Sequence, residues 1–288
     1  MQSNNITLRP GSPKDAAECG RICYEAFKNI SEKYGFPTDL PSLEVAIGAV
    51  SFSLEHPKFY SVVAERNGKI IGSNFMDERN AIVGVGPISV DPSEQDSGIG
   101  KMLMQNVLSR VEQSKFSGVR LVQAAYHGRS LSLYTKLGFV TRETLSVMQG
   151  KPINELIPGR HVREATRSDL EDCNRVCRSV HGIDRSGEVE DAIDQKEGIV
   201  VERGGKIRGY STGLAFFGHS VGLGNDELIA IVASGREYRG PGIIVPTRNY
   251  ELFNWCLSHG LRVVEQLTLM TIGLYNEPAG AYLPSILY

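Results

Sequence analysis

Residues 88–101 read ISVDPSEQDSGIGK, and the organisation of the whole chain follows from this stretch. The β-branched Ile88 and Val90 predict the end of a strand, which the following Asp-Pro pair terminates. From Ile99 onward, apolar residues return at the spacing of an amphipathic helix. These helical positions are Met102, Leu103, Val107, Leu108 and Val111. The stretch therefore predicts a strand, a glycine turn and a helix.

The glycine turn predicts a site for an anion. Gly98 and Gly100 allow the backbone to turn where a Cβ would clash, and they leave the first amides of the helix free beside Lys101. A helix dipole alone stabilises an anion by about 0.3–1 kcal/mol near the surface. A polyphosphate ligand would therefore need several loop amides together with Lys101.

Two common phosphate-binding loops do not fit this stretch. A Walker A loop requires glycine five residues before Gly100, where Gln95 stands, and serine or threonine in place of Met102. A dinucleotide-binding fingerprint requires glycine in place of Leu103. The loop belongs to neither class.

The spacing Gln95-x-x-Gly98-x-Gly100 resembles the acyl-CoA pyrophosphate loop of the GNAT superfamily of N-acetyltransferases. Residues 133–139, LYTKLGF, are similar to the LYxKLGF signature of the same family. The resemblance runs from about Ile6 to Gln149. It implies an α/β (α+β) fold, in which a mixed and mostly antiparallel sheet is flanked by helices, and acetyl-CoA as cosubstrate. It does not indicate the acyl acceptor.

The resemblance also implies which residues bind the cosubstrate. Residues 88–90 would pair with the amides of pantetheine as an added strand does, and residues 96–101 would hold the pyrophosphate. A backbone amide at or near Val90 would stabilise the oxyanion. The implied set is Ile88, Ser89, Val90, Gln95, Asp96, Ser97, Gly98, Ile99, Gly100, Lys101, His127 and Tyr134.

By the same resemblance, Tyr134 is a catalytic residue that assists the departing thiolate. A phenol with a pKa of about 10 would give its proton to a thiolate with a pKa of about 8.5 uphill by roughly 2 kcal/mol. A stabilising hydrogen bond is therefore favoured over full proton transfer. The alternative is a tyrosine that only packs against the short helix.

His127 departs from the family pattern, which commonly has an asparagine seven residues before the tyrosine. Histidine can still donate a hydrogen bond to the cofactor arm, and an imidazole with a pKa near 6.5 can act as a catalytic base. Cofactor contact, base and a structural role all stay open for it. Val122 stands where some relatives carry a basic glutamate. The remaining candidates for the base are water, Glu25, Asp77, Glu78 and Tyr126.

Composition is that of an ordinary globular protein with one large domain or two of middling size. The chain has 288 residues, of which 41% are hydrophobic and 22% charged. Its 31 lysines and arginines nearly balance 33 acidic residues, which argues against a nucleic-acid partner. No apolar stretch approaches about 20 residues, and the first residues lack the regions of a signal peptide. We therefore expect a cytoplasmic protein without a membrane partner, and the sequence is compatible with a homodimer.

The five cysteines do not form a disulfide framework. Cys19 and Cys23 share a helix face, as do Cys173 and Cys177, so each pair could seed a metal or redox site. No Cys-x-x-Cys motif or nearby histidine cluster completes either pair. Buried helix-core cysteine is the favoured interpretation, and no metal is predicted.

An internal repeat relates the two halves of the chain. Residues 9–23 align with residues 163–177 at a separation of 154 (163 minus 9), and two hairpin-like blocks align at a separation of 137 (202 minus 65). Gly98-x-Gly100 then matches Gly240-x-Gly242 at a separation of 142 (240 minus 98). The chain is thus predicted to be a tandem of two related halves.

The predicted domains are a catalytic GNAT domain at residues 1–150 and a degenerate, non-catalytic GNAT-like domain at 151–288. In the second, Pro241 would remove a loop amide, and Asn276 would replace Tyr134 at the same separation of 142 (276 minus 134). Other elements are predicted from local patterns. They are strands at Ile6–Arg9, Val83–Val90 and Leu228–Val232, a hairpin around Asn67-Gly68, and a helix near Arg248–His259.

The sequence therefore predicts an acyltransferase that moves an acetyl group from acetyl-CoA to a primary amine of a small molecule or amino compound. Transfer would be direct, in a ternary complex. A protein or peptide N-acetyltransferase is the alternative within enzymes. A non-catalytic acyl-CoA-binding or interaction protein is the alternative from another class.

Overall fold

The computed structural model describes residues 6–95 and 97–288, which form two compact units. Unit 1 contains the described residues up to Leu121 together with His127–Phe139. Its elements are β1 (Ile6–Pro10), α1 (Ala16–Tyr34), α2 (Leu43–Glu55), β2 (Phe59–Arg66), β3 (Lys69–Asp77), β4 (Ile82–Val85), β5 (Ser89–Val90), α3 (Ile99–Ser114), β6 (Gly118–Ala124) and α4 (Gly128–Lys136). The last residues of β6 already belong to unit 2.

Unit 2 contains Val122–Tyr126 and Val140–Tyr288. Its elements are β7 (Val140–Gln149), β8 (His161–Glu164), α5 (Leu170–His181), α6 (Ser186–Asp194), β9 (Ile199–Arg203), β10 (Lys206–Ser211), β11 (Ser220–Gly222), α7 (Asn225–Ala233), β12 (Ile243–Pro246), α8 (Tyr250–Ser258), β13 (Arg262–Gly273) and β14 (Ala281–Leu283). The division by contacts places β7 in unit 2, whereas the boundary predicted at residue 150 places it in the first half. The boundary at residue 150 stays a prediction about the extent of the two sequence repeats.

The sheets have the predicted mixed and mostly antiparallel character. In unit 1 the strand order is β1-β2-β3-β4-β6, with only β4 and β6 parallel, and β5 pairs with β3 off this path. In unit 2, β13, β7 and β12 are neighbours, and a second, antiparallel sheet has the order β14-β11-β10-β9-β8. Helices pack on these sheets in both units, so the predicted fold class is confirmed.

Several predicted elements are confirmed where local chemistry is decisive. The strand at Ile6–Arg9 is β1, and the helix near Arg248–His259 contains α8. The hairpin turns at Asn67-Gly68, whose φ angles of 52° and 75° fit the turn that this dipeptide favours. α3 begins at Ile99, as the glycine turn predicts.

The predicted strand Val83–Val90 is wrong as one continuous element. It divides into β4 and β5 at Gly86-Pro87, where Gly86 has a φ of 146° and proline has no amide hydrogen to continue a ladder. Beyond this break, Val90 pairs with Gly72 of β3. Just before the phosphate loop, β5 therefore pairs with β3, and the parallel pairing with β6 is made by β4.

The predicted strand Leu228–Val232 is also wrong, because these residues lie in helix α7. The run from Glu227 to Ala233 is buried on every side of the helix, so it has no polar face to reveal a helical period. Asp226 and Glu227 in the first turn favour a helix start. A short apolar run between turns cannot by itself distinguish the two structures.

Arg9 ties the first strand of unit 1 to the turn that precedes α1. Its guanidinium lies 2.8 Å from the Asp15 carboxylate and 2.7 Å from the Glu65 carboxylate. The same arrangement recurs in unit 2, where Arg163 contacts Asp169 at 2.8 Å and Glu202 at 2.6 Å. The recurrence supports the separations of 154 (163 minus 9) and 137 (202 minus 65) found in the sequence.

We expect the ion pair of Asp15 to make stability depend on acid pH. Hydrogen bonds from Arg9 lower the pKa of Asp15 to about 2, against about 3.9 in an unfolded chain. Because the folded pKa is depressed, the stabilisation is present above about pH 4 and is lost as the pH falls through 2. Asp15→Asn should lower the free energy of unfolding by roughly 1–2 kcal/mol at pH 6 and flatten its decline below pH 4.

Urea unfolding between pH 2 and 7 measures this dependence. Glu32→Gln is the control, because the Glu32 side chain is 68% exposed and its contact with Lys28 spans 3.8 Å. The prediction would be contradicted if Asp15→Asn had the same free energy of unfolding as the parent at pH 6 and the same loss of stability below pH 4.

Candidate functional site

The loop between β5 and α3 in unit 1 is held at its beginning by ion pairs. Asp91 lies 3.1 Å from Arg21 of α1 and also accepts a hydrogen bond of 3.0 Å from the Ser93 amide. Glu94 pairs with Arg66 of β2. These contacts fix the start of the loop to two other elements of the same unit.

The loop ends in a glycine that starts helix α3. Gly98 is the N-cap, with the left-handed φ of 83° and no side chain of the described residues capping it. The first helical hydrogen bond runs from the Met102 amide to the Gly98 carbonyl at 3.1 Å, so the three amides before it are outside the helical ladder. The structure thus has the helix start that the anion site requires. Asp96, one of the predicted contacts, lies outside the described residues.

Gly100, in the first turn of α3, lies close to two other elements of unit 1. A Cβ built on Gly100 would have Leu133 Cδ2 at 3.8 Å and Val90 Cγ2 at 3.9 Å as its nearest neighbours, which are ordinary contacts. A Cβ on Gly98 would meet no atom of the described residues within 4 Å. The end of β5, the first turn of α3 and helix α4 therefore meet around Gly100.

The two predicted catalytic residues are Tyr134 in helix α4 and His127, the N-cap of that helix. Tyr134 is 6% exposed and makes an edge-on ring contact with Phe139 at 6.0 Å between centroids. Burial raises the pKa of its phenol to about 12. His127 precedes the helix, and its burial, together with the positive charges of Arg129 and Lys33, lowers its pKa.

Ser130 lies between these two side chains and was not among the predicted residues. Its hydroxyl is 2.8 Å from Nδ1 of His127, and its presence offsets part of the rise that burial causes in the pKa of Tyr134. Ser130 and Tyr134 are separated by four residues, which places them on one face of α4, and His127 is the N-cap of that helix. That spacing was the available sequence signal for Ser130.

The carboxylates considered as general bases are all engaged in ion pairs. Glu25 lies 2.5 Å from Arg21, and Glu78 lies 2.9 Å from Arg110. Asp77 binds Arg79 at 2.6 Å. In each case the arginine occupies carboxylate oxygen atoms with which a base would accept a proton. The other two positions, Val122 and Tyr126, belong to unit 2.

In unit 2 the counterpart of helix α4 is α8, at a separation of 122 (250 minus 128). Gly138 and Gly260 end the two helices with φ angles of 96° and 86°. At this separation Cys256 replaces Tyr134, so the predicted counterpart Asn276 is wrong. The Asn276 side chain instead donates to the His181 carbonyl at 2.9 Å. The repeat register of 142 fails because the loops between the elements differ in length.

The match of Gly240-x-Gly242 to Gly98-x-Gly100 is likewise wrong. Gly242 precedes strand β12, and a Cβ there would lie 2.2 Å from the Met148 carbonyl oxygen. Close backbone approach, rather than anion binding, accounts for that glycine. Pro241 therefore does not occupy a lost phosphate loop.

The true counterpart of the phosphate loop in unit 2 is nearly absent. Gly222 pairs with Gly209 of β10 as Val90 pairs with Gly72 of β3. Only residues 223–224 then separate β11 from α7, whereas residues 91–98 separate β5 from α3. Unit 2 lacks the chain length that forms the loop in unit 1.

Other contacts close the corresponding region of unit 2. Strand β14 pairs with β11 and also contacts β12, so it occupies the edge along which an extended ligand would add. The Asn249 side chain donates to Asn225 at 2.8 Å, which joins the starts of α8 and α7. Asn225 in turn donates to Glu251 at 2.7 Å.

No metal or membrane feature was found in the described part of the chain. Residues 6–95 and 97–288 contain no group of three or more His, Cys, Asp or Glu side chains arranged to hold a metal ion. No helix among them is long and apolar enough to cross a membrane. All five cysteines are free and buried, and burial raises the pKa of each thiol.

Comparison with known families and structures identifies the fold. Residues 57–141 match the acetyltransferase (GNAT) domain model, and this range contains every cosubstrate-binding residue implied by the resemblance, including His127 and Tyr134. A structure from Pyrococcus horikoshii, described as an acetyltransferase, superposes with a TM-score of 0.75 at 17% identity, covering 98% of this chain and 95% of the other. A search of curated proteins gave no match.

Two further structures match nearly the whole length of the chain. A GCN5-related N-acetyltransferase from Sphaerobacter thermophilus has a TM-score of 0.63 at 16% identity, covering 94% of this chain and 96% of its own. A tandem GNAT protein from the clavulanic acid biosynthesis pathway has a TM-score of 0.55 at 10% identity, covering 93% and 98%. At these identities the similarity establishes the fold, and the two-half organisation predicted from the repeats agrees with it.

Proposed function

We propose that this chain, whose residues 57–141 match the acetyltransferase (GNAT) domain model, transfers an acetyl group from acetyl-CoA to a primary amine of a small molecule or amino compound. Transfer is direct, in a ternary complex. Residues 1–150 are the catalytic domain in this proposal, and residues 151–288 are a degenerate domain that does not catalyse transfer.

One observation carries the proposal, namely the meeting of three elements around Gly100. The uncapped helix start at Gly98 offers amides to an anion, and the end of β5 offers backbone groups to an extended amide chain. Helix α4, which carries Tyr134, reaches the same place through Leu133. A pyrophosphate, a pantetheine arm and a thioester would need these three surfaces in this order.

The residues of unit 1 then have distinct roles. The amides of Ile99, Gly100 and Lys101 bind the pyrophosphate, and the backbone of residues 88–90 binds the pantetheine amides. The Tyr134 hydroxyl donates to the departing sulfur. Full proton transfer from Tyr134 alone is uphill by roughly 5 kcal/mol, since its pKa of about 12 exceeds the ordinary thiol value of about 8.5. Hydrogen bonding to the phenol must therefore assist it.

The identity of the partners belongs to the same proposal. The near balance of 31 basic and 33 acidic residues supports a small-molecule acceptor rather than nucleic acid or an anionic membrane surface. A cytoplasmic location and a homodimer are parts of the proposal that rest on the sequence alone.

A free-thiol release assay with acetyl-CoA tests the function. The acceptors are pooled primary amines, amino acids and peptides, and CoA release should depend on one of the small amines. Release only with peptides would favour the protein or peptide N-acetyltransferase. Acetyl-CoA binding without any acceptor-dependent release would favour the non-catalytic acyl-CoA-binding protein.

We expect one acetyl-CoA per chain. The two-residue connection between β11 and α7, together with strand β14 on the edge of β11, argues against a second site in unit 2. Calorimetric titration should give a stoichiometry near one. Two sites per chain, or a site retained when the loop of unit 1 is altered, would contradict the assignment of unit 2 as degenerate.

A further inference from the structure

The loop that is proposed to bind pyrophosphate carries several negative charges of its own. The stretch 88–101 contains three acidic residues, Asp91, Glu94 and Asp96, and one basic residue, Lys101. Pyrophosphate is an anion, and like charges repel each other within a Debye length of about 8–10 Å. Asp91 has a positive partner in Arg21 at 3.1 Å, and Glu94 needs one of its own.

Arg66, at the end of β2, is the positive partner of Glu94. Nη1 of Arg66 donates to Oε2 of Glu94, and the two side chains are only 19% and 25% exposed. Nε of Arg66 is buried and has no hydrogen-bond partner among the described residues. The pair is thus partly withdrawn from water, where the loss of one charge affects neighbouring groups more than it does at an exposed surface.

Glu94 in turn belongs to the turn that leads into α3. Its amide donates to the Asp91 carbonyl at 2.8 Å, and its own carbonyl accepts from the Ser97 hydroxyl at 2.5 Å. Ser97 immediately precedes Gly98, the N-cap of α3. The Glu94 charge therefore lies in the turn that ends at the amides proposed to bind pyrophosphate.

We propose that Arg66 is a positioning residue for acetyl-CoA, which neutralises Glu94 and so allows the pyrophosphate to approach the amides at the start of α3. This inference rests on the proposed function, in which the loop binds the cosubstrate. Arg66 acts through Glu94 and does not itself contact the phosphates. Its contribution is therefore to the affinity for acetyl-CoA.

Unit 2 provides an internal comparison, because the same hairpin occurs there without the loop. Arg203 is the counterpart of Arg66 at the separation of 137 (203 minus 66), and each is the last residue of its strand. Arg203 is exposed and forms no ion pair with any residue in the described part of the chain. The hairpin therefore does not require this ion pair, which occurs in the unit that has the loop.

Calorimetric titration with acetyl-CoA tests the inference through a pair of variants and their combination. Arg66→Met should weaken binding about tenfold at low ionic strength, because the Glu94 charge is then unpaired. Glu94→Gln should bind at least as tightly as the parent, since glutamine keeps an oxygen that can accept from Arg66 and loses the charge. The double variant should bind within about threefold of the parent, because the repelling charge is gone.

Two further titrations identify the charges that interact. The loss of affinity in Arg66→Met should shrink to within about threefold in about 1 M salt, where the Debye length is about 3 Å. The same tenfold loss should occur with 3′-dephospho-CoA, which keeps the pyrophosphate and lacks the 3′-phosphate. A loss that is absent with 3′-dephospho-CoA would overturn the assignment to the pyrophosphate.

Arg110→Met is the matched control for the change in net charge. Arg110 lies 2.9 Å from Glu78 in the same unit, and it follows Ile99 by eleven residues (110 minus 99), or about 16 Å along α3. Arg110→Met should bind acetyl-CoA within about twofold of the parent. Thermal unfolding shows whether Arg66→Met is folded, and Arg66→Gln, which also removes the charge, should show the same loss of affinity.

The double variant separates the proposed role of Arg66 from two others. A loss that persists in it would overturn the inference, in favour of a structural role if salt has no effect and of direct phosphate contact if salt reduces the loss. Unchanged affinity in Arg66→Met would overturn it as well. These outcomes leave the acetyltransferase proposal intact, whereas binding that follows the predicted pattern without turnover of any acceptor would overturn only that proposal. A parent that binds no acetyl-CoA would overturn both.

Discussion

Replacing Tyr134 with phenylalanine should lower kcat about 100-fold and leave the Kd for acetyl-CoA within about twofold of the parent. The hydroxyl is needed when charge develops on sulfur, and the cosubstrate in the ground state gains little from it. The ring stays in place, because the Phe139 contact at 6.0 Å involves no hydroxyl. Steady-state kinetics with a good acceptor, together with calorimetric titration, measure the two quantities.

Tyr60→Phe is the matched control for this variant. Tyr60 is in the same unit, and its hydroxyl donates to the Asn106 side chain at 2.7 Å, away from α4. Its loss should leave kcat unchanged. If Tyr134→Phe retains the turnover of the parent, Tyr134 is a packing residue and its hydroxyl does not assist the leaving group.

The elements that the sequence predicts correctly are those whose signal is local. Asn67-Gly68 predicts a hairpin because both residues adopt positive φ readily, and the two strands around it pair as expected. Gly98 predicts a helix start because only glycine adopts its φ of 83° at little cost. In each case the decisive interaction is contained within a few residues.

The elements that the sequence misses depend on contacts between distant residues. The run Leu228–Val232 is a helix because unit 2 buries all of its faces, and burial is not encoded in the run itself. The break of the strand at Gly86-Pro87 becomes evident only when the pairing of Val90 with Gly72 is known. Apolar residues and a proline fit more than one structure until such partners are known.

The register of the second half fails for a different reason. Glycines are frequent enough to align by chance, and the connection that holds the phosphate loop in unit 1 is reduced to residues 223–224 in unit 2. A match on Gly240 therefore shifts every later comparison. Gly138 and Gly260, which share a positive φ at the end of equivalent helices, give the correct register.

For the site itself, the resemblance indicates the loop and Tyr134, and the structure adds Ser130. The positions 127, 130 and 134 have helical spacing, but a serine within a helix has many structural uses, so spacing alone does not select it. The 2.8 Å distance from Ser130 to His127 makes the difference. Side-chain direction is the information that a family signature omits.

Gly100→Val should weaken acetyl-CoA binding at least tenfold, which corresponds to about 1.4 kcal/mol for each tenfold change. The branched side chain would fill the space above the first turn of α3 and keep a pyrophosphate from the amides of Ile99 and Lys101. The fold itself should tolerate the change, since the nearest atoms to a Cβ there lie 3.8 Å and 3.9 Å away. Calorimetric titration and thermal unfolding measure the two effects.

Gly48→Val is the control for Gly100→Val, because a Cβ on Gly48 would meet no atom of the described residues within 4 Å and Gly48 lies in α2 rather than at the start of α3. It should keep the affinity of the parent. Gly98→Val should weaken binding as well, but its φ of 83° adds backbone strain, so Gly100 gives the clearer result. Unchanged affinity in both loop variants would remove the cosubstrate from this helix start. A tenfold loss confined to the loop variants, beside a Tyr134→Phe variant that binds normally and turns over slowly, would assign binding to α3 and leaving-group assistance to α4.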